Sequence, residues 1–185
     1  VVDGDYPARC SDGDGDFTTP PIDTSLFANF PNTYFWSSVS YAGDSSSTWG
    51  VLFDFGYIDK FYKDFSRPVL CVRDNVPEPE GLTDNGNGTI TDSAKGITWM
   101  KCAQGMTFNA ESNTCEGFID SNSSFEYCDA LDNSCNGGVS GGLLDGGGNS
   151  EVWNTCNTLS FAGYTDWRVP NKEELGGLIH CSNGH

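Results

Sequence analysis

At 185 residues, 37% hydrophobic and 13% aromatic, the chain has the length and apolar content for one well-buried domain, which excludes general disorder. Nine Lys and Arg stand against 26 Asp and Glu, and the formal charge of −17 repels phosphate backbones and anionic lipid, so nucleic acid is excluded as a partner. No apolar run approaches the length of a membrane span and no leader pattern opens the sequence, which predicts a soluble, mature form with no membrane insertion.

Val1 to Asp23 is dominated by Asp, Gly and Pro and is expected to be irregular surface loop. Within it Asp3, Asp5, Asp12, Asp14 and Asp16 form the candidate metal site. Calcium takes several oxygen ligands from flexible Asp-Gly loops, and "DGDGD" supplies carboxylates at alternating positions. The segment is not an EF-hand, because Phe17 stands where that loop needs Gly and no Glu closes it; a solvated acidic loop is the alternative.

From Tyr34 the pattern turns strand-like. "YFWSSVSY" and "WGVLFDF" are rich in β-branched and aromatic residues, and Trp49, Val51, Phe53 and Phe55 alternate onto one face, as a half-buried antiparallel strand requires. "GYIDKFYKDF" and "PVLCVR" are expected to complete a meander with them. Trp36, Tyr41, Trp49 and Tyr57, with Tyr62, are the candidate assembly surface or glycan platform; a place in the core is the simpler alternative for most.

"DNVPEPEGL" carries two prolines and reads as an extended, exposed linker. "TDNGNGTITDSAKGITWMKC" has hairpin signals around Asn85 to Gly88 and Ser93 to Gly96, and its first turn reads as a tight hairpin in preference to a calcium loop. Residues 103–150, rich in Cys, Gly, Asn and Ser, read as a loop insertion held by disulfides. In "SEVWNTCNTLSFAG", Val152, Cys156 and Leu159 have helical spacing with Gly163 as the stop. In "PNKEELGGLIHC", Asn171 and Glu174 have capping-box spacing, and packing of Leu175, Leu178 and Ile179 must offset Gly176 and Gly177.

The eight cysteines, Cys10, Cys71, Cys102, Cys115, Cys128, Cys135, Cys156 and Cys181, form an even set scattered through loops, without the paired knuckles zinc prefers. Disulfides in an oxidising compartment are expected. Cys102 with Cys115 and Cys128 with Cys135 close as local loops, although spacing alone proves no pairing.

Together these motifs resemble a bacterial family named after the C-terminal domain of the Legionella collagen-like adhesin. The residues that carry the resemblance are "DNGNGTITD", "GITW", "AGYTDWRVPNKEEL", "FPNTYFWSS", a Trp-rich strand and "VLCVR". The resemblance implies an α+β, C-type-lectin-like fold, with antiparallel sheets and two short helices, in a secreted or surface-attached protein. The family order is rotated here. Residues 1–75 read as the strand-rich second half of the family domain, 76–82 as a Pro-containing linker, and 83–185 as the first half with its insertion.

Three arrangements account for the rotation: a circularly permuted domain, one repeat cut from a tandem array, or subunits that complete one another. A linker of about nine residues reaches about 30 Å when extended and excludes none of them. The latter two are head-to-tail contacts that do not close and so grow into filaments. Cys10 and Cys181 either link copies across the junction or form local bridges.

Catalysis has little support. His180 and His185 are the only histidines, and Asp166, Arg168 and Glu173 read as groups that orient the second helix. The expected function is a non-enzymatic extracellular structural or adhesive module that assembles head to tail with copies of itself. The alternative is a closed, calcium-assisted carbohydrate-binding module. The sequence lacks the motifs of calcium-dependent lectins, and its acidity argues against the sulfated polysaccharide bound by the adhesin that names the family.

Overall fold

The structure, a computed structural model, describes residues 21–53, 56–75, 81–117, 124–127, 144 and 150–179. Its architecture is α+β and mostly antiparallel. Strands β1 (Tyr34–Ser40), β2 (Ser47–Leu52) and β3 (Tyr57–Tyr62) form one sheet in the order β1-β2-β3. A second sheet has the order β5-β8-β7-β6, from β5 (Val72–Asp74), β6 (Leu82–Asp84), β7 (Thr89–Asp92) and β8 (Ile97–Met100). Two small ribbons pair β9 (Thr107–Asn109) with β10 (Thr114–Glu116), and β4 (Ser66–Arg67) with β11 (Phe125–Glu126). The helices are α1 (Glu151–Asn157) and α2 (Lys172–Gly176).

The expected meander ends at β3. "PVLCVR" leaves that sheet and places β5 beside β8, pairing Val72 with Trp99 and Asp74 with Ile97. The other edge of β5 is also occupied, since Val72 and Arg168 exchange backbone hydrogen bonds of 2.9 and 2.7 Å. A strand from residues 1–75 is thus inserted between two segments of residues 83–185. Val69, Leu70, Cys71 and Val72, the apolar run that leads into it, are all fully buried in the core. Strand β2 also departs from expectation. It is a central strand buried on both faces, because α2 covers one and Phe61, Trp36 and the 125–127 segment cover the other.

The core is one contiguous cluster drawn from both halves. Phe27, Phe30, Phe35 and Phe53 interlock within residues 1–75, with the Phe30 and Phe35 rings stacked at 4.8 Å. Ile90, Trp99, Trp167 and Leu175 complete the cluster from residues 83–185. Polar ties cross the same seam. Arg73 grips Asp166 through two hydrogen bonds of 2.8 and 3.0 Å, and its guanidinium lies 3.9 Å from the Tyr164 ring centroid. Arg168 bonds Asp74 at 2.6 Å and Glu174 at 2.8 and 2.9 Å. The Cys71–Cys156 disulfide joins the halves covalently across 85 residues.

Both predicted hairpins form, β6–β7 and β7–β8. At the first, Gly88 has φ +84° and an added Cβ would lie 2.7 Å from Phe161 and 2.9 Å from Phe108, so a side chain is excluded by backbone and by space. Asp84 anchors this turn. It accepts from the Gly86 N–H at 2.9 Å, from Asn113 at 2.8 Å and from the buried Lys101 ammonium at 2.6 Å. Burial pushes the Asp84 carboxyl up, and those three donors together outweigh it and hold its pKa below the usual value. The turn reading of this motif over the metal reading is supported by these contacts.

Helix α1 starts where Ser150 accepts from the Trp153 N–H, and it ends at Asn157, so Leu159 packs on the core from outside it. Gly163 is a turn residue with φ +84° between Phe161 and Tyr164, not the helix stop. The Asn171–Glu174 capping box is present at α2. Gly176 has a packing reason: an added Cβ would lie 2.6 Å from Ile58, so glycine lets the helix press onto β3.

Two predictions follow from burial and linkage. Replacing Cys71 and Cys156 with Ala should cost about 4 kcal/mol by urea unfolding, and replacing Cys102 and Cys115, whose bridge closes only 13 residues, about 3 kcal/mol. The long-range bridge is expected to matter more; the reverse ranking would contradict its role. Lys63, fully buried, has its pKa lowered to about 8 by burial, with Asp44 only partly opposing that. Between about pH 8 and 10.5 the unfolded chain binds a proton that the folded chain has lost, so stability should rise with pH there. Urea titrations from about pH 8 to 9.5 should show that slope in the native protein and not in Lys63→Met.

Candidate functional site

The residues singled out from the sequence separate in space. Asp3, Asp5, Asp12, Asp14 and Asp16 lie outside the described residues, as do Cys10, Cys128, Cys135 and Cys181. Among the described residues, no group of three or more His, Cys, Asp or Glu is placed to hold a metal ion. Cys102 and Cys115 are bonded to each other, as their spacing suggested. Asp166 and Arg168 are engaged in the seam ion pairs, and Glu173 lies 3.8 Å from Lys172.

Trp36 is not a surface contact in this chain. It is fully buried, its indole N–H donates to the Phe125 carbonyl at 2.8 Å, and its ring meets Tyr127 at 5.5 Å. Register explains this: Trp36 pairs with Gly50, whose lack of a side chain leaves room on that face. Tyr41 and Trp49 do come together, edge to face at 5.2 Å. Each ring carries an ammonium, Lys60 at 4.7 Å over Tyr41 and Lys172 at 4.2 Å over Trp49. A sugar could stack on those faces only by displacing a cation, so the pair is better suited to fixing α2 against the sheet.

A different surface is open. Tyr62, 58% exposed, and Phe65, 50% exposed, flank the turn from β3 to β4 and are the most exposed large hydrophobic residues among those described. On the β3 face opposite Tyr62, Phe61 meets Tyr34 edge to face at 4.3 Å. Gly50 makes that contact possible, because a Cβ there would lie 2.9 Å from the Phe61 ring. Tyr57, half-buried, begins β3 opposite Leu52 and shares the sheet face of Phe61 by strand alternation.

Arg67 sits at the centre of this group. Its guanidinium carbon lies 5.3 Å from the Tyr34 ring centroid and 5.2 Å from that of Phe65, and its Nε is buried without a hydrogen-bond partner. Arg73, Lys95, Lys101, Arg168 and Lys172 all lie in ion pairs. Among the described residues Arg67 has no ion-pair partner, and neither does Lys60, whose ammonium lies over the Tyr41 ring. The arrangement offers ring faces and a planar set of N–H donors side by side, which suits a ligand that is flat or ring-shaped and carries acceptor oxygens. Sequence reasoning missed Phe65 and Arg67. The available signal was "FYKDFSR", where an aromatic residue falls in a polar turn and has no core to enter.

No helix among the described residues is long and apolar enough to cross a membrane. No curated protein and no solved structure matches the chain. Residues 88–185, which carry the Gly88 turn, both helices and the Asp166–Arg168 side of the seam, match the Lcl C-terminal domain. That match spans more than half of the sequence. The chain therefore belongs to the Lcl C-terminal domain family, the domain family of an adhesin.

Proposed function

We propose that the protein is a non-enzymatic adhesive module of the cell surface or extracellular space, closed by its own two halves, with the Phe65–Arg67 patch as its contact surface. The observation that carries this reading is the exposed Phe65 ring beside Arg67, which has no ion pair among the described residues. Family membership and the buried disulfides support the location, since such bonds persist in oxidising compartments. The acid and base groups of "DWRVPNKEEL" are engaged in holding the fold, which supports a binding role over catalysis. The C-type-lectin-like topology implied by the resemblance, and calcium at the Asp-rich loop, are part of the same proposal.

Beads coated with the native chain should attach to immobilised mucin and polysaccharide. The variant Phe65→Ser should attach about fivefold more weakly, since an exposed ring contributes about 0.5–1.5 kcal/mol. Equal attachment by the variant would reject the patch as the contact surface. A parallel arm with chelator reads whether calcium contributes.

Head-to-tail assembly is a second reading with its own motive. The seam joins residues on the two sides of the 76–80 linker, so the same contacts would form if β5 entered a neighbouring copy. Denatured mass without and with reductant separates the two. The closed module gives one species of 20.0 kDa in both conditions, and covalently linked copies give a ladder that collapses on reduction.

A further inference from the structure

We infer that Asn87 is an acceptor for an N-linked sugar, presented at the tip of the β6–β7 hairpin in the finished fold. Asn87-Gly88-Thr89 is an Asn-X-Thr sequence whose X is not Pro, the pattern of an N-glycan acceptor in a secreted chain. The Asn-X-Ser/Thr pattern occurs once more, at Asn122, outside the described residues. Asn113 and Asn154 are followed two residues on by Cys115 and Cys156, which lack the hydroxyl and are both held in disulfides. Asn87 stands in the open, since Asn85, Gly86 and Asn87 are all exposed at the turn.

The turn fixes which end of the amide is offered. The Asn87 side-chain oxygen accepts from the Thr89 N–H at 3.2 Å and from the Thr89 hydroxyl at 2.6 Å. Asn85 donates its amide to the same hydroxyl at 2.8 Å, so the hydroxyl proton is left to point at Asn87. With its oxygen held by two donors, the Asn87 amide keeps Nδ2 without a hydrogen-bond partner among the described residues. Asn85, two residues before, is the contrast. Its amide nitrogen is engaged by Thr89 and Thr91, and the residue two positions after it is Asn87, which has no hydroxyl. In the transfer, Asn87 Nδ2 bonds to the anomeric carbon of an activated sugar, either a sugar nucleotide or a lipid-linked sugar pyrophosphate. The bond from that carbon to the phosphate oxygen breaks, the phosphate leaves with the electron pair, and Nδ2 gives up one proton. The carbonyl oxygen is untouched, so both Thr89 bonds survive and the hairpin carries the sugar in water without rearranging.

The test is glycopeptide mass spectrometry on the full chain taken from the cells that naturally make it. Trypsin, cutting after Arg73 and Lys95, releases residues 74–95 with Asn85 and Asn87 on one peptide that contains no cysteine. Fragmentation by electron transfer should place a hexose or N-acetylhexosamine on Asn87 and none on Asn85. Sugars added one at a time indicate a sugar-nucleotide donor, and a single preassembled oligosaccharide indicates a lipid-linked one; both support the acceptor. Asn87→Gln, made in the same cells, should lose the adduct completely, and Thr89→Ser, which keeps the hydroxyl, should retain it. A 74–95 peptide from the native chain that carries no sugar, a sugar on Asn85 or on a threonine of that peptide, an adduct that survives in Asn87→Gln, or its loss in Thr89→Ser would each overturn the inference. The native-chain result stands whether or not either variant folds.

Discussion

Everything else in the fold depends on where β5 goes. Its backbone is paired on one edge to β8 and on the other to Arg168, and Cys71 at its start is bonded to Cys156 of α1. Without this strand, Trp99 and the β8 edge would lose their cover, and the Arg168 segment would lose its partner. An open strand edge invites pairing with another chain, and an uncovered indole loses the stabilisation of burial. The strand is therefore a structural requirement of the half that follows it in sequence, and the ion pairs Arg73–Asp166 and Arg168–Asp74 tie it to the 166–168 segment on one side.

The same seam holds Arg73, Arg168 and Lys172, three of the nine Lys and Arg. In a strongly acidic chain each cation is a scarce resource, and Arg73, Arg168, Lys101 and Lys172 are placed where they tie elements together or cover a ring. Arg168 has its charged form reinforced first by its Glu174 bonds, against the opposing effect of burial. Arg67 is the contrast that turns a structural pattern into a functional one. It is held in place by aromatic rings, and no carboxylate of the described residues answers it.

Local features were legible from the sequence because their causes are local. The Asn171–Glu174 capping box, the hairpins at Asn85–Gly88 and Ser93–Gly96, and the short Cys102–Cys115 loop each follow from residues within a few positions of one another. The destination of "PVLCVR" was not legible, because a continuous apolar run fits any buried strand and says nothing of its neighbours. Trp36 and Tyr41 look alike in an alternating pattern, yet one lies under the 125–127 segment and the other faces Lys60. Those outcomes are set by contacts across long stretches of sequence. The Phe65–Arg67 patch combines both kinds: its turn is visible in "YKDFSR", but that no carboxylate of the described residues pairs with the guanidinium depends on where distant segments lie.

The most direct test of the account is the origin of the two cysteines in the seam. Chains with natural nitrogen and chains labelled with 15N would be mixed while denatured and reduced, refolded together under oxidising conditions, digested without reduction, and read by mass spectrometry. The closed fold predicts that every peptide pair joined by Cys71 and Cys156 carries one label only. Mixed-label pairs in statistical proportion would mean that β5 is supplied by a neighbouring copy, and would contradict the closed module.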